Sequence, residues 1–552
     1  MFRYLIINLI LTGLFITGCG GNERSGQNEQ VVILEHKPEV ATLSYGDTYV
    51  ESYIADIISL NPVLINDGVS YDICEMVFSG LVKMDENYSI VPDMAETWEV
   101  SADGMSISFR LRKGIQWHDG APFTAEDVRF TFDKIVDPAI ECPDRDYYES
   151  FETIEVRDNL NLKVVLREPF APALEYCGFS VIPAHLYRGV DISTSPNNQR
   201  PVGTGPFRFI SWTPDEQVVL EAFPEYYNGR AYIDRYVYRV IPDKSMAFLA
   251  FQKGEIDLFT LTNDQLKLVS ESSEFKTRFN LFRTSKYLNY LCFNLEKPYL
   301  ADAKVRLALV MGIDRQEIID RIKQGNAVVT TGPFMPGHWS FNESTVPIPY
   351  DPEQARILLE EAGYRDKDGD GIREKNGQKL AVEFLNTGNY AETLLVPRAL
   401  QSYWREIGVE CVITALEWSK VLDRTTKKDF DVTIFGQSLG GWDPHSEFGN
   451  WHSTQVPTEE NNWRGYNLSS YRNPEVDRLL EQGRSTYDFE ERKLIYRRIH
   501  EILNTDQPCC FLYVLQSVHA IDKRFHGVAL SNAGRFTSLT KWYVPEHLQK
   551  YR

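Results

Sequence analysis

The segment Phe435–Pro444 combines a flexible main chain with polar and aromatic side chains suited to contact with a small ligand. It follows the apolar run Val432–Ile434, which is typical of a buried strand. Glycines at 436, 440 and 441 permit close approach of another main chain. Asp443 offers a negative charge to a ligand amine. We therefore expect ligand contacts from Gln437, Ser438, Leu439, Gly440, Trp442 and Asp443.

Two of these residues also have a structural interpretation. Asp443 precedes a proline, so its carboxylate could serve a turn. Trp442 could offer an apolar face to the ligand or pack in a core or a lid. Tyr290 and Trp451 are further candidates of the same amphipathic kind, and we add them to the expected ligand contacts.

A second candidate region precedes the amphipathic stretch Asp72–Leu81, which the sequence predicts as a helix. Main-chain N–H groups at a helix start suit a ligand carboxylate, although the same turn could be a plain N-cap loop. From this turn we expect ligand contacts by Gly68, Val69, Ser70 and Tyr71.

The sequence contains two patterns that only partly match known metal-binding motifs. The turn Asp366–Gly371 matches the first half of a calcium loop, but Gly377 stands where a bidentate glutamate belongs, which favours a surface turn. His445 and His452 do not have the spacing of a recognised metal pair. We expect no resident metal and no cofactor.

Catalysis and nucleic-acid binding are both disfavoured. The chain contains no Gly-x-Ser-x-Gly, His-Glu-x-x-His or Walker motif, and no sequence feature nominates a carboxylate pair for glycoside hydrolysis. With 78 acidic against 58 basic residues the net charge is −20, which repels phosphates. We expect a protein that is not an enzyme and does not bind nucleic acid.

The elements that would position these residues belong to a mixed α/β class. Ile107–Arg112 alternates with period two, the pattern of a half-buried strand. Helices are predicted to begin after Thr124, in a capping box, and after Asp351, Asn473 and Asp488 as N-caps. Strand and helix signals alternate in this way throughout the chain.

The first residues have the features of a lipoprotein signal. The apolar stretch Leu5–Ile16 is too short to span a bilayer, and Ile16–Cys19 resembles the bacterial lipobox. Cys19 would then carry the lipid, and Gly20–Gln30 would form a flexible tether. Seven cysteines remain, an odd number, and either one or two disulfides or buried free thiols are compatible with their spacing.

Several blocks of the sequence resemble one known family. Met94–Val100, Phe109–Gly120 and Pro122–Val128 are similar to the signature of the family 5 extracellular solute-binding proteins, the dipeptide, oligopeptide and nickel binders of ABC importers. The resemblance covers roughly residues 40–525. Further blocks follow in the family's order at Pro201–Phe207, Phe293–Asn294, Val305–Leu309, Ile313–Arg315, Tyr350–Tyr364 and Tyr471–Asp477.

The resemblance implies an α/β fold with two lobes, of the class II periplasmic-binding-protein type, with an extra subdomain in lobe one. The ligand would lie in the interlobe cleft, and a peptide would be held as an added strand. Peptide binders of this type place an aspartate against the ligand's α-ammonium. Aligned on the Asp-Pro pair, that position is Gly440 here, a departure that puts amine capture at this point in doubt.

The resulting organisation has five segments. We expect a signal peptide at 1–18, a tether at 19–30, lobe one at 31–285, lobe two at 286–506 and a return to lobe one at 507–552. The crossings would lie near Thr284–Asn289 and at Gln507–Pro508. Two crossings make a hinge that can close on a ligand.

The resemblance also implies the partners. We expect a monomer outside the inner membrane, lipid-anchored in the periplasm or at the cell surface, that delivers a peptide to an ABC permease and its ATPase subunits. A nickel chelate or another small solute such as an oligosaccharide is the second hypothesis. A scaffold or chaperone without a small ligand is the third.

Overall fold

The computed structural model describes residues 43–388, 390–438, 443–534 and 537–551, with the side chain at position 286 excepted. Runs that alternate apolar and polar residues form strands, as expected for half-buried sheet faces. These strands are β1 Thr48–Tyr53, β2 Val82–Met84, β3 Ile90–Pro92, β4 Ala95–Val100, β5 Ser106–Leu111, β6 Phe151–Asp158, β7 Asn161–Leu166, β8 Phe207–Thr213, β9 Gln217–Ala222, β10 Arg235–Val240, β11 Leu258–Leu261, β12 Phe279–Phe293, β13 Ala327–Val328, β14 Glu374–Lys375, β15 Gln378–Lys379, β16 Ala381–Thr387, β17 Glu410–Leu416, β18 Val432–Ser438 and β19 Cys509–Asp522.

The α-helices are capped as the sequence predicts. Thr124 forms a capping box with Asp127, and the side chains of Asp351, Asn473 and Asp488 accept hydrogen bonds from the first turns of their helices. The helices are α1 Gly68–Val77, α2 Ala125–Val136, α3 Ala173–Tyr176, α4 Ala184–Tyr187, α5 Lys244–Lys253, α6 Asn263–Ser270, α7 Ser273–Arg278, α8 Pro298–Ala301, α9 Ala303–Met311, α10 Arg315–Glu317, α11 Pro352–Glu361, α12 Ala391–Glu406, α13 Trp418–Thr426, α14 Glu447–Trp451, α15 Pro474–Ser485 and α16 Phe489–Asp506.

One large sheet runs through the molecule. Its strand order is β17-β16-β18-β12-β19-β11-β1-β10-β9-β8, and β13 pairs with β19 beside this path. β12 and β19 are the long strands at its centre and pair antiparallel from Phe279 opposite Asp522 to Cys292 opposite Cys509. A separate four-stranded sheet, β4-β5-β7-β6, packs against α2.

The buried side chains divide into cores at the two ends of the β12–β19 strand pair. At one end, a core contains Trp117, Tyr236 and Trp542, and a neighbouring cluster contains Val518. At the other end, the cores are built from residues between Leu288 and Val514. We propose that lobe one comprises residues 43–285 with 516–551, and lobe two residues 287–514, so that β12 and β19 form the hinge.

This packing favours crossings that differ from the sequence prediction. Thr284–Asn289 lies inside β12 with bulges after Ser285 and Asn289, because cross-strand bonds to β19 keep the polar stretch extended. Residues 509–514 of β19 still pack in lobe two, whereas Val518 packs in lobe one. We therefore propose that the return crossing lies within β19 and not at Gln507–Pro508.

The predicted helix Asp72–Leu81 is wrong by about one turn, since α1 spans Gly68–Val77. Asp67 is the N-cap, and its side chain accepts a hydrogen bond from the Ser70 N–H at 2.8 Å. The described cysteines are all present as free thiols, namely Cys74, Cys142, Cys177, Cys292, Cys411, Cys509 and Cys510.

Candidate functional site

A cavity of about 360 Å³ lies between the two lobes. Lobe one contributes residues between Pro62 and Ser180, and lobe two contributes Asp443, His445 and Ser446. A cavity lined from both lobes is the arrangement in which a ligand stabilises the closed state.

Two smaller cavities adjoin this interlobe cavity. One, of about 160 Å³, shares Tyr71, Gly178 and Ser180 with it and extends into lobe one. The other, of about 40 Å³, shares Asp443 and Ser446 and extends into lobe two. The three cavities together form one cleft across the lobe boundary.

The lobes also touch at the rim of the cleft. The Tyr487 hydroxyl donates to the carbonyl oxygens of Gly104, at 3.1 Å, and Phe170, at 2.9 Å. The N–H of Ala171 donates to the Arg484 carbonyl at 2.7 Å. These contacts hold the two walls together.

Of the four residues predicted in lobe one, Tyr71 lines the interlobe cavity. Ser70 is buried, and its hydroxyl accepts a hydrogen bond from the Ile58 N–H at 3.0 Å. Gly68 and Val69 do not line the three cavities described above. The Asp67 side chain already occupies an N–H group of the first turn, so this helix start is poorly suited to a ligand carboxylate.

In lobe two, Gln437 and Ser438 line the smallest cavity as predicted from their segment. They are the last residues of β18, which pairs with β12 over its full length. Its other edge pairs with β16 only at Val432 and Thr433, so beyond these residues that edge has no strand partner within the described parts of the chain. An open strand edge beside a cavity can accept an added strand.

Asp443 borders the cleft, but its carboxylate is already paired. Arg492 donates to both carboxylate oxygens, at 2.5 and 2.7 Å, and the His445 N–H donates to one of them. The Arg492 guanidinium holds the pKa of Asp443 below its usual range even though burial acts in the opposite direction. This pairing favours a structural role for Asp443 over contact with a ligand amine.

Trp451 and Tyr290 occupy packing positions and do not line the three cavities. The Trp451 indole is buried and donates to the Glu447 carboxylate at 2.6 Å. Gln437 and Asn450 donate to the same carboxylate, and burial raises its pKa. Tyr290 packs 6.1 Å from the Phe435 ring, between ring centroids. These contacts favour a packing role for Trp451 and Tyr290 over ligand contact.

Four predicted residues lie outside the described parts of the chain. They are Cys19, Leu439, Gly440 and Trp442.

The sequence analysis missed an aromatic wall in lobe one. Four tyrosines line the interlobe cavity, and the rings of Tyr147 and Tyr176 stack at 5.5 Å. Asp144 lies at the same wall, just before a 3₁₀ turn over Arg145–Tyr148. The adjacent acids and tyrosines of this turn were the available signal. The four tyrosines are Tyr71, Tyr147, Tyr148 and Tyr176.

His445 joins the two walls. Its Nε2 is hydrogen-bonded to the Tyr176 hydroxyl, and burial lowers its pKa to about 4. A neutral imidazole with one nitrogen engaged by Tyr176 serves to hold the lobes together.

Among the described residues, one group has oxygens close enough to share a metal ion, within 4.8 Å of one another, and it is Asp366, Asp368 and Glu374. The Lys367 N–H donates to Glu374, and the Lys379 ammonium lies on Asp370. This turn is remote in sequence from the cleft residues. No helix in the described ranges combines the length and apolarity that crossing a membrane requires.

Comparison with known proteins agrees with the two-lobed architecture. A model described as bacterial extracellular solute-binding proteins, family 5 middle, matches residues 89–458. The oligopeptide-binding protein AppA of Bacillus subtilis is 27% identical over 551 residues, covering 97% of each chain.

Two solved structures are similar over both lobes. NikZ from Campylobacter jejuni, in complex with Ni(L-His), is 28% identical with a TM-score of 0.70, covering 90% of this chain and 99% of its own. AppA from Bacillus subtilis, in complex with a nonapeptide, is 25% identical with a TM-score of 0.66, covering 91% and 99%. The α/β two-lobed fold predicted from the sequence is confirmed.

Proposed function

Because the chain belongs to the family 5 bacterial extracellular solute-binding proteins, we propose that it captures a peptide in the interlobe cleft and delivers it to the permease of an ABC importer. The observation that carries this proposal is the open edge of β18, whose end lines the cleft. A peptide main chain can hydrogen-bond along such an edge with little dependence on its side chains.

The similarity to AppA over nearly the full length of both chains supports a peptide as the ligand. The succession of three adjoining cavities also suits an extended chain more than a compact solute. Closure would bury the peptide between the tyrosines of lobe one and the β18 end of lobe two. The permease and its ATPase subunits would then supply the energy for uptake.

Peptide capture is tested by thermal unfolding of the purified protein with pools of short peptides. A ligand that binds the folded state raises the melting temperature by mass action. We expect a rise with at least one pool and a smaller rise for Gly436→Pro, which removes an N–H from β18. No rise with any peptide pool would overturn the proposal.

A nickel–histidine chelate is the second candidate, favoured by the similarity to NikZ bound to Ni(L-His). His445 is the imidazole that lines the interlobe cavity among its described residues, and its Nε2 is engaged by Tyr176. A rise in melting temperature with nickel plus histidine, together with no rise for any peptide, would support this candidate.

We further propose that Cys19 carries a lipid and that the protein works as an anchored monomer in the periplasm or at the cell surface. The family acts outside the cytoplasm, which agrees with such an anchor. The test is metabolic labelling with a fatty acid. Label should enter the wild-type protein and be lost in Cys19→Ser, and equal labelling of both would exclude this residue as the lipidation site.

A further inference from the structure

We infer that the interlobe cavity selects ligands that bring a cationic group, an ammonium or a guanidinium, against Asp144. This inference rests on the proposed capture of a peptide in the cleft and specifies which peptides bind best. It is carried by the lining of the cavity. Among the described residues of that lining there are carboxylates and tyrosines but no lysine or arginine.

Asp144 is the carboxylate that this lining leaves for a ligand. It precedes the turn over Arg145–Tyr148, and its side chain makes no capping hydrogen bond. No ion pair or hydrogen bond joins its carboxylate to any side chain within the described ranges. Its side chain is exposed and lines the cavity, and partial desolvation there raises its pKa. A cationic group of a ligand in the cavity would be attracted to this carboxylate.

The neighbouring arginine does not neutralise Asp144. The Arg145 guanidinium is engaged by main-chain carbonyls that include those of Ile135 and Asp137. These carbonyl groups lie at the C-terminal end of α2 and in the loop that follows it. Arg145 therefore supports the loop while the negative charge beside it faces the cleft.

The other carboxylates of the cavity and its histidine already have partners. Asp443 is paired with Arg492, and His445 is hydrogen-bonded to Tyr176. Glu175 has interactions of its own, and the inference does not require it as a ligand contact. Arg484 acts on this end of the cavity but stacks on Phe170 and Phe448 without lining it.

The aromatic wall has the complementary chemistry. Burial raises the pKa values of Tyr71, Tyr147 and Tyr148, and the charge of Asp144 raises them further. Tyrosine rings attract a cation through their negative faces, and a carboxylate within the same wall fixes its position. An anionic ligand would meet Asp144 with no compensating base on the described lining. The ligand class is therefore a peptide with an ammonium or guanidinium group at this point.

The inference is tested by calorimetric titration of the whole protein with matched peptides of three and five residues. Each series carries lysine, alanine or glutamate at one position, and an N-acetylated lysine peptide separates a side-chain ammonium from the N-terminal one. We expect the lysine peptide to bind more tightly than the glutamate peptide. Asp144→Asn should reduce that preference about tenfold, the change expected for one charge-assisted hydrogen bond.

The matched control is Asp146→Asn. It removes the same charge two residues further along the chain, at a position that does not line the cavity. It should leave the preference unchanged. Asp144→Lys is a second variant, independent of the first, and should shift the preference toward the glutamate peptide. Circular dichroism of each variant checks that it is folded.

The outcomes separate the two proposals. Peptide binding with equal affinities across the series, unchanged by either Asp144 variant, overturns the cation inference and leaves peptide capture standing. Loss of preference in Asp146→Asn as large as in Asp144→Asn also overturns it, because the effect would then be a general one of charge. Absence of binding by every peptide overturns peptide capture and the inference with it.

Discussion

Arg492 holds Asp443 through two hydrogen bonds, 2.5 and 2.7 Å long, between its guanidinium nitrogens and the two carboxylate oxygens. Both side chains are buried, and the Arg492 Nε donates to the Gly483 carbonyl of α15. The pair therefore ties the end of the 435–444 segment to α15 and α16. Its position at the cleft border makes Asp443 a structural support for the lobe-two wall.

Replacing Arg492 by methionine should destabilise the protein by roughly 3–5 kcal/mol, because it leaves the Asp443 carboxylate buried without a counter-charge. Denaturant unfolding measures this difference. The control is Arg129→Met, which breaks the exposed 2.7 Å pair with Glu126 and should cost less than about 1 kcal/mol. Equal losses in the two variants would contradict the structural role of the buried pair.

The free energy of unfolding should also depend on pH through buried His500. Its Nδ1 accepts the Asn342 N–H and its Nε2 bonds the Thr331 hydroxyl, so a second ring proton would meet a donor. Burial lowers the His500 pKa to about 4. Because the unfolded chain binds this proton more readily, stability is present above about pH 6.5 and is lost as the pH falls toward 4, by up to roughly 3 kcal/mol.

The measurement is a set of urea unfolding curves between pH 4 and 7.5. His500→Gln should be less stable at neutral pH but should show a shallower decline on acidification. His547→Gln, at an exposed position, should follow the wild-type curve. A decline in His500→Gln as steep as in the wild type would assign the acid sensitivity to other groups.

Local rules recovered much of the fold from the sequence. Four helices begin after a residue whose side chain can cap a helix and that is followed by a helical pattern of apolar residues. Each begins where the sequence predicts, after Thr124, Asp351, Asn473 and Asp488. The α1 start was misplaced because the prediction followed the amphipathic pattern from Asp72, whereas the helix begins earlier, after the N-cap Asp67.

The site was harder to predict because it depends on contacts between distant parts of the chain. The pairing of Asp443 joins residues 49 positions apart. The aromatic wall brings Tyr71, Asp144 and Tyr176 together from separate elements of lobe one. The return crossing that we propose within β19 has no local signal, because Pro508 marks only the end of a helix, whereas the lobe change depends on which core the following strand enters.

Close packing against the end of α1 explains the two glycines of the Pro201–Phe207 block. A Cβ on Gly203 would overlap the Val77 carbonyl at the end of α1, and one on Gly205 would lie 2.6 Å from the Met76 carbonyl. Gly203→Ala should therefore cost about 1–3 kcal/mol in unfolding free energy. Gly436→Ala, where a Cβ meets open space, is the control and should be nearly neutral. Comparable losses would contradict the close-packing explanation, because the lower entropy of the unfolded chain favours folding in both variants.

The contacts of Tyr487 across the cleft should favour the closed form. Its hydroxyl donates to the carbonyls of Gly104 and Phe170 in lobe one, although Tyr487 belongs to lobe two. Tyr487→Phe keeps the ring and removes these bonds, which costs the closed state about 1 kcal/mol. If the peptide binds the closed state, its affinity should fall by up to about fivefold, and the unfolding free energy should fall by less than about 1 kcal/mol.

Small-angle scattering and calorimetry test this expectation together. The ligand-free variant should have a larger radius of gyration than the wild type, and the peptide should restore the compact value. Tyr390→Phe, which removes an exposed hydroxyl from lobe two away from the rim, should change neither quantity. A weaker affinity without any expansion would instead place the Tyr487 hydroxyl in direct contact with the ligand, because a contact that holds the lobes together must alter the distance between them when it is removed.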